Sequence, residues 1–387
     1  MLVFLIGCSP NQTESPTAGN ADREDCVADY DPNQDYFPEK TERDYARGFE
    51  VEYFNHYKVV SVVNPWKDAE VTFQYVLVQC GTPVPAGFED AQIVEVPIQS
   101  VVALSTTHLP HLEKLGVLDA LVGVSRPKQV NSSAVQSKIQ QGEVVGVGSR
   151  STLNWEALLE LNPDLVMTFG TGNAEFDTFP KLMEFGIPTA IVAEYMEASP
   201  LAKAEWMKFT ALFFNREAKA ESIFAEIAKR YEQKVAIAEK VSERPTVFTG
   251  FNQSGTWYVP GGESYVAQYL DDAGARYLWA ENDARGSLPL DFEAVYERAK
   301  NADYWLHVSH DWESTEDVIA QDQRYANFQA LQQEQVYNND ARVNAAGGND
   351  YWESGIVNPD VVLADLIKIL HPELLPEHEL VYYRPLE

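Results

Sequence analysis

The chain has few basic residues and few cysteines. Lys and Arg together number 29 against 59 Asp and Glu, which gives a formal net charge of −30. A field of this sign repels nucleic acid and anionic membrane surfaces, so we expect neither as a direct partner. Beyond its first residues the chain has no apolar run long enough to cross a bilayer. This composition indicates a soluble body of more than one domain.

The chain also lacks the motifs of the common enzyme classes. It contains no G-x-S-x-G elbow, P-loop, dinucleotide fingerprint or metallohydrolase signature. Gly261-Gly262-Glu263-Ser264 has no G-K-[ST] ending, and we interpret it as a turn into a helix. We therefore expect a protein that is not an enzyme. A metal-dependent enzyme recruiting His108, His310 and Glu353 is the alternative.

The three cysteines divide into two roles. Residues 1–8 end in Leu5-Ile6-Gly7-Cys8, which fits a lipobox, and residues 9–47 form a polar tether and acidic coil. We expect lipidation at Cys8, an extracytoplasmic location with membrane contact only through that anchor, and a true start upstream of Met1. Outside the cytoplasm the remaining cysteines tend to pair, so we predict a Cys26–Cys80 disulfide. Two buried free thiols are the alternative.

The periodicity predicts an α/β protein of two lobes. Residues 48–92 alternate around a Pro-containing turn, which is typical of a β-hairpin extension. Short apolar strands then alternate with helices, which indicates parallel sheets covered on both faces. The predicted parts are a first lobe, one long linking helix, a second lobe and a tail, at residues 93–197, 198–215, 216–375 and 376–387.

One sequence pattern occurs twice, at residues 153–166 and 290–306. Each copy has an Asn or Asp cap, an aromatic residue, Glu-Ala and a short helix, and each closes on Asp before an apolar run. Capping and the helix dipole account for a carboxylate in each first turn, here Glu156 and Glu293. The repetition indicates two similar halves and leaves open whether the two glutamates share a further role.

Two H-x-x-H pairs also occur, His108/His111 and His307/His310. Such spacing can place two imidazoles on one helix face, and imidazole binds transition metals. No third ligand has a diagnostic spacing, so we expect structural histidines, with His108 and His307 as weak metal candidates.

Several segments together resemble one family. They include V-V-A-L-S-T-T-H-L-P from residue 101, L-N-W-E-A-L-L-E-L-N-P-D-L-V, the helix pair at 198–241, G-G-E-S-Y-V-A-Q-Y-L-D-D-A-G-A and N-P-D-V-V-L-A-D-L-I. The chain resembles the iron-siderophore and cobalamin class, class III, of substrate-binding lipoproteins of bacterial ABC importers, over roughly residues 97–371. The resemblance implies two lobes on one rigid helix, a ligand between them and small hinge motion.

The resemblance also implies partners and site residues. A surface glutamate on each lobe would dock onto an ABC permease dimer with its ATPase, and the matching positions are Glu156 and Glu293. The expected ligand is a ferric siderophore or related metal chelate held by a monomer without an intrinsic cofactor, with haem and cobalamin as alternatives. A surface sensor without a permease is a further alternative. The expected cleft residues at strand ends are Thr106, Arg126, Phe169, Tyr195, Trp257, Tyr258, His310, Arg342 and Trp352.

Overall fold

The computed structural model describes residues 26–148 and 152–387. Cys8 and residues 9–25 of the predicted tether and coil lie outside this part, so lipidation stays a prediction. Cys26 and Cys80 are joined by a disulfide, with their Cα atoms 4.8 Å apart. Val27 also donates its backbone N–H to the Cys80 carbonyl at 2.9 Å. The N-terminal segment is therefore fixed to the body, as the cysteine count predicts.

The extension is a four-stranded sheet rather than a hairpin alone. The predicted hairpin is present as β2 and β3, which pair antiparallel. The segment I-V-E-V was expected to open the first lobe, but it pairs parallel with β3 in this sheet, because its partner is set by tertiary structure. The strands are β1 (Phe49–Tyr53), β2 (Tyr57–Val62), β3 (Phe73–Gln79) and β4 (Gln92–Val96).

The first lobe is a parallel sheet in the order β7-β6-β5-β8-β9. Its central strands are buried on both faces, which fits their continuous apolar sequences. The strands are β5 (Val101–Ala103), β6 (Leu121–Val124), β7 (Val145–Gly146), β8 (Leu165–Thr168) and β9 (Thr189–Ile191). The helices are α1 (Leu109–Leu115), α2 (Ser133–Gln141), α3 (Trp155–Leu161) and α4 (Phe179–Glu184).

The linking helix α5 spans Pro200–Leu212, slightly shorter than predicted. Ser199 caps it by accepting the Ala202 N–H at 3.2 Å, and Pro200 occupies the first turn, where it needs no N–H partner. Its thirteen residues span about 20 Å. Every one of them is buried. An all-round buried helix must be covered on each face, and here the extension covers the face away from the cleft.

Aromatic packing joins the extension to α5. Phe49 of β1 contacts Trp206 and Phe209, with ring centroids 5.1 and 5.6 Å apart. Tyr75 of β3 contacts Phe209 and Phe213 at 6.3 and 6.0 Å. These edge-to-face pairs are favourable beyond the apolar area that they bury. The extension is therefore part of the main core.

The second lobe contains a five-stranded sheet, β13-β10-β15-β16-β17, and a small sheet, β11-β12-β14. The predicted tail supplies β17, which pairs antiparallel with β16. The strands are β10 (Thr246–Thr249), β11 (Asn252–Gln253), β12 (Thr256–Pro260), β13 (Arg276–Tyr277), β14 (Ser287–Leu290), β15 (Tyr304–Leu306), β16 (Val336–Asn338) and β17 (Arg384–Pro385). The helices are α6 (Glu217–Ala238), α7 (Tyr265–Asp272), α8 (Phe292–Ala299), α9 (Thr315–Gln321), α10 (Gln329–Gln332) and α11 (Pro359–Leu370). Within the part of the chain that the structure describes, no helix is long and apolar enough to span a membrane.

Candidate ligand cleft

The cleft lies between the carboxyl ends of the strands of the two lobes. β5, β6 and β8 end beside Thr106, Arg126 and Phe169, and β15 ends before His310. Ligands of open α/β sheets bind beyond such strand ends. The topology therefore brings most of the predicted residues to one side of each lobe.

The lobes touch along one side of this cleft, in a contact that we call the latch. The Glu353 carboxylate of the second lobe accepts the backbone N–H groups of Asn131 and Ser132, at the start of α2, at 2.7 Å each. Glu353 is 2% exposed. Burial raises its pKa, and the two N–H groups oppose that effect. Gly348 and Gln129 complete the latch, because a Cβ on Gly348 would lie 1.9 Å from the Gln129 carbonyl oxygen.

Beside the latch, the second lobe contains a cavity of about 720 Å³. Its lining includes His310 and Trp352, as predicted, together with Asp340 and Arg384. Asp340 pairs with Arg384 at 2.8 Å and with His310 at 3.6 Å. Burial raises the pKa of Asp340, but these two neighbours outweigh it and the net pKa is lowered. The cavity therefore presents an aromatic face next to an ionised, hydrogen-bonded cluster.

Arg342 does not line this cavity. It pairs with Asp350 at 3.1 Å and faces a second interlobe cavity of about 450 Å³, which also has Asn131 and Glu353 in its wall. The latch residue Glu353 borders that second space and not the first. The expectation that Arg342 joins His310 around one ligand is therefore corrected.

Trp257 was wrongly predicted to face the ligand. It is fully buried, and its indole N–H donates to the Thr249 carbonyl at 2.9 Å. It stacks on Trp305 within the aromatic core of the second lobe, with ring centroids 5.8 Å apart. Neighbouring residues of a strand point to opposite faces, so the adjacent Tyr258 is the one that is exposed, at 46%.

The predicted first-lobe residues differ in their exposure and in their hydrogen bonds. Thr106 and Phe169 are half-buried, whereas Arg126 is exposed and donates to Gln129 Oε1 at 3.2 Å. The Tyr195 hydroxyl donates to the Gly170 carbonyl at 2.7 Å, and burial raises the pKa of Tyr195 to about 12. Tyr195 is thus 38% exposed, and its hydroxyl is already hydrogen-bonded.

The turn between β2 and β3 reaches the same edge, which the sequence did not reveal. Trp66 lies against Gly170 and Gly172, where an added Cβ would come within 2.5 and 2.6 Å of its ring. Lys67 continues toward the second lobe, and its Cδ lies 4.0 Å from the Cβ position of Gly286. The Asn64-Pro65 turn signal predicted a turn here. It carried no information on the non-local surface that the turn would meet.

Three of the four paired histidines are buried or half-buried. Burial lowers the pKa of His108 to about 3 and those of His111 and His307 to about 4. His111 Nδ1 bonds Thr210 Oγ1 at 3.1 Å, and His307 bonds the Tyr383 hydroxyl. Among the described residues, no group of three or more His, Cys, Asp or Glu side chains is arranged to hold a metal ion. Only His310 of the four opens to a cavity lining.

Known proteins share this sequence pattern and fold. The sequence model described as "Periplasmic binding protein" matches residues 101–343, more than half of the chain. The chain belongs to the periplasmic binding protein family. This is a family of solute-binding proteins and not of enzymes, so the enzyme alternative is set aside. The family is extracytoplasmic, and class III members work with an ABC permease, an ATPase and a small-molecule ligand.

An uncharacterized lipoprotein of Methanocaldococcus jannaschii is 27% identical over 351 residues, which covers 85% of this chain and 81% of that protein. A possible iron-binding periplasmic solute-binding protein of Staphylococcus epidermidis superposes with a TM-score of 0.57 at 18% identity, covering 71% of this chain and 99% of that one. The periplasmic vitamin B12 binding protein of Vibrio cholerae superposes with a TM-score of 0.51 at 15% identity, covering 73% and 99%. The predicted resemblance to the iron-siderophore and cobalamin class is confirmed for the family and the fold. The extension lies ahead of the matched region, which begins at residue 101.

Proposed function

We propose that this periplasmic binding protein captures a ferric siderophore between its lobes and delivers it to an ABC permease. The observation that carries the proposal is the second-lobe cavity of about 720 Å³, walled by Trp352 and His310 beside the ionised Asp340–Arg384 pair. Its volume suits a bulky organic ligand. Tyr258 and Arg126 are exposed, and we propose that they add an aromatic and a cationic contact for an anionic chelate. Relatives with the same fold include an iron-binding protein, which supports this ligand class.

Haem and cobalamin are the second candidates, because a vitamin B12 binding protein shares the fold. Haem ligation by tyrosine would use a deprotonated phenol. Burial raises the pKa of both Tyr195 and Tyr351 to about 12, and the hydroxyl of Tyr195 is already bonded. These contacts favour the siderophore over haem.

Ligand choice is tested by tryptophan-fluorescence titration with ferric siderophores, haem and cobalamin. We expect saturable quenching by a ferric siderophore and a weaker affinity in Trp352→Ala, because a stacking surface is lost. Phe54→Ala is the matched control, since Phe54 is 40% exposed, close to the 38% of Trp352, but lies on the extension. Equal affinity of all three proteins would remove Trp352 from the site. Binding of haem or cobalamin alone would reject the siderophore.

Docking to the permease is proposed for Glu156 and Glu293. Each lies in the first turn of a helix that leads into a parallel strand, so both stand at the strand-end edge of their lobes. Glu156 is exposed and makes no ion pair with the described residues, whereas Glu293 pairs with Arg324 at 3.3 Å. Two separated carboxylates facing arginine pockets would set both affinity and orientation.

Apolar residues flank the first of these glutamates. Leu159 on α3, Met183 on α4 and Phe185 just after α4 are 53%, 40% and 48% exposed. Clustered exposed apolar side chains are typical of a protein interface. We expect Glu156→Ala and Glu293→Ala to reduce stimulation of the transporter ATPase while ligand affinity is unchanged. Glu160→Ala, also exposed on α3, is the control. Full stimulation by both variants would reject these glutamates as docking contacts, and no stimulation by the wild type would support a sensor that has no permease.

The location follows from the same proposal. We propose that Cys8 is diacylated and tethers a monomer to the outer face of the membrane, as the lipoprotein name of a relative supports. Mass spectrometry of the membrane-extracted protein should show the lipid on Cys8, and Cys8→Ser should release the protein. An unmodified Cys8 in membrane-bound protein would reject this anchor.

A further inference from the structure

Hydrogen bonds join the two lobes at one end of the cleft, and the latch is only part of them. Besides the two N–H groups that Glu353 accepts, the Asn344 side-chain amide donates to the Val130 carbonyl at 3.2 Å. The Gln129 side-chain amide donates to the Ala346 carbonyl at 3.4 Å. Within the described ranges, every hydrogen bond between the first and second lobes belongs to this end. The separation of the lobes is therefore fixed here.

The sheet orders place the latch and the turn between β2 and β3 at opposite ends of the cleft. In the first lobe the latch residues follow β6, whereas Gly170 and Gly172, which contact Trp66, follow β8 on the other side of the central β5. In the second lobe the latch loop follows β16. Gly286, which Lys67 approaches, follows β13, and β10 and β15 separate that strand from β16. The turn therefore lies at the end that has no latch.

This turn, residues 64–70, is fixed to the first lobe, and we call it the strap. The Trp66 ring lies so close to two glycines of the first lobe that neither position has room for a side chain. It also stacks on Phe179, with ring centroids 5.6 Å apart. The Tyr195 hydroxyl, which donates to the Gly170 carbonyl, also donates to the Pro65 carbonyl at 3.2 Å. The strap thus belongs to the first lobe, although its strands belong to the extension.

The strap touches the second lobe much more weakly. Lys67 is exposed, and its Cδ lies 4.0 Å from where a Cβ of Gly286 would be, at van der Waals distance. Among the residues that the structure describes, no hydrogen bond or ion pair joins residues 64–70 to the second lobe. One apolar contact of this kind contributes far less than a hydrogen bond. The strap can therefore separate from the second lobe without leaving a polar group unpaired.

We propose that the cleft opens at one end only, with the lobes pivoting on the latch and separating at the strap. Opening at the latch would break four hydrogen bonds and leave donors and acceptors of both lobes unpaired, whereas opening at the strap breaks an apolar contact. The cavity beside the latch then keeps its position against the first lobe, and the strap end adapts to the bulk of what is bound. This motion does not depend on which ligand the cleft holds.

Double electron–electron resonance between nitroxide labels measures this motion in the ligand-free protein. Cys8→Ser removes the thiol that would compete for the label, and the Cys26–Cys80 disulfide does not react with it. Each lobe then receives exposed labelling positions at both ends of the cleft. The latch pair is Ser137→Cys with Asp311→Cys, and the strap pair is Ala174→Cys with Asp283→Cys. We expect the distance distribution of the strap pair to be about twice as broad as that of the latch pair.

A label on the strap itself shows which lobe carries it. Glu70 is exposed, so Glu70→Cys can be paired in turn with Ala174→Cys and with Asp283→Cys. We expect a narrow distribution to the first-lobe position and a broad one to the second-lobe position. The reverse order would mean that the strap moves with the second lobe, and it would overturn the proposal.

Two substitutions then perturb one end at a time. Gly348→Ala should broaden the latch pair, because the added Cβ would lie 1.9 Å from the Gln129 carbonyl oxygen. Trp66→Ala should broaden the distribution between strap and first lobe and leave the latch pair unchanged. Trp155→Ala is the matched control, since Trp155 is also half-buried on the first lobe but lies on α3.

The wild-type comparison alone can refute the pivot. Equal breadths of the latch and strap pairs would overturn it, because lobes that are rigid or that separate uniformly have no preferred end. A broader latch pair would place the opening at the wrong end and overturn it as well. No ligand enters this experiment, so its failure would leave the siderophore function intact, and failure of every siderophore to bind would leave the pivot intact.

Discussion

The contact of Glu205 with the coil just ahead of the extension yields a sharp prediction about stability. This residue of α5 is fully buried, and its carboxylate accepts the backbone N–H groups of Asp44, Tyr45 and Ala46 at 2.8, 2.8 and 2.7 Å. It also pairs with Lys208 at 3.0 Å. Glu205→Ala removes the acceptor for three donors and one partner of a buried ammonium at once.

The magnitude follows from what the substitution leaves behind. Removing one partner of a buried, hydrogen-bonded charge network costs about 3–5 kcal/mol. Asp44 is exposed, so its N–H group can turn to water, and Ala46 is fully buried and cannot. Lys208 retains Glu42 and Glu221 as partners, which limits the loss at the ammonium. We therefore expect a decrease of about 3 kcal/mol in the free energy of unfolding.

Urea unfolding followed by tryptophan fluorescence measures this change, because Trp206 lies one residue away in the same core. Glu226→Ala is the control, since Glu226 is exposed on α6 and surface substitutions usually change stability by less than about 0.5 kcal/mol. A loss below about 1 kcal/mol for Glu205→Ala would refute the reasoning. It would mean that the segment at 44–46 separates from α5 without cost.

Three further predictions concern the Cys26–Cys80 disulfide, His111 and the latch. Replacing Cys26 and Cys80 by Ser should lower the free energy of unfolding by about 4 kcal/mol, because the disulfide closes a loop of 54 residues and so restricts the unfolded chain. Equal urea midpoints of the wild type with and without reductant would contradict this. For His111 the folded-state pKa is about 4. Between pH 6.5 and 4 the unfolded state therefore binds more protons than the folded state. The free energy of unfolding of the wild type relative to His111→Gln should decrease by about 3 kcal/mol as the pH falls across that range. A difference in stability that does not change with pH would contradict this. Glu353→Gln should speed hydrogen exchange of the Asn131 amide about tenfold, because this N–H group loses its anionic acceptor. Unchanged exchange would show that the latch does not depend on the charge of Glu353.

Most of the helices and strands could be predicted from the sequence. A proline in the first turn and a continuous apolar face mark α11 (Pro359–Leu370) locally, so the sequence alone indicates a helix there. The four-residue α10 and the neighbouring 3₁₀ turn at 323–327 are harder to predict, because helix ends and short turns have weak local signals. The membership of β4 in the extension sheet depends on a partner far along the chain, so no local pattern reveals it.

The residues of the candidate site were harder to predict from the sequence than the fold. Alternation showed that Trp257 and Tyr258 point to opposite faces, but only the packed lobe shows which face is the core. The burial of Lys203 was missed because A-K-A-E-W-M-K looks like a helix with ordinary solvent-exposed charges. Lys203 is buried because Tyr265 and Trp352 of the second lobe lie beside this face of α5, and that is a property of the assembled fold.

The extension accounts for why the linking helix can hold charged groups in fixed positions. Glu205 and Lys208 of α5 bind the coil just ahead of the extension, while Lys203 of the same helix faces the cleft. A rigid helix with one face braced transmits little motion to the other. The same extension places Trp66 against the first-lobe edge of the cleft. Loosening the brace through Glu205→Ala should therefore weaken ligand binding as well as stability, even though Glu205 lies on the face of α5 away from the ligand.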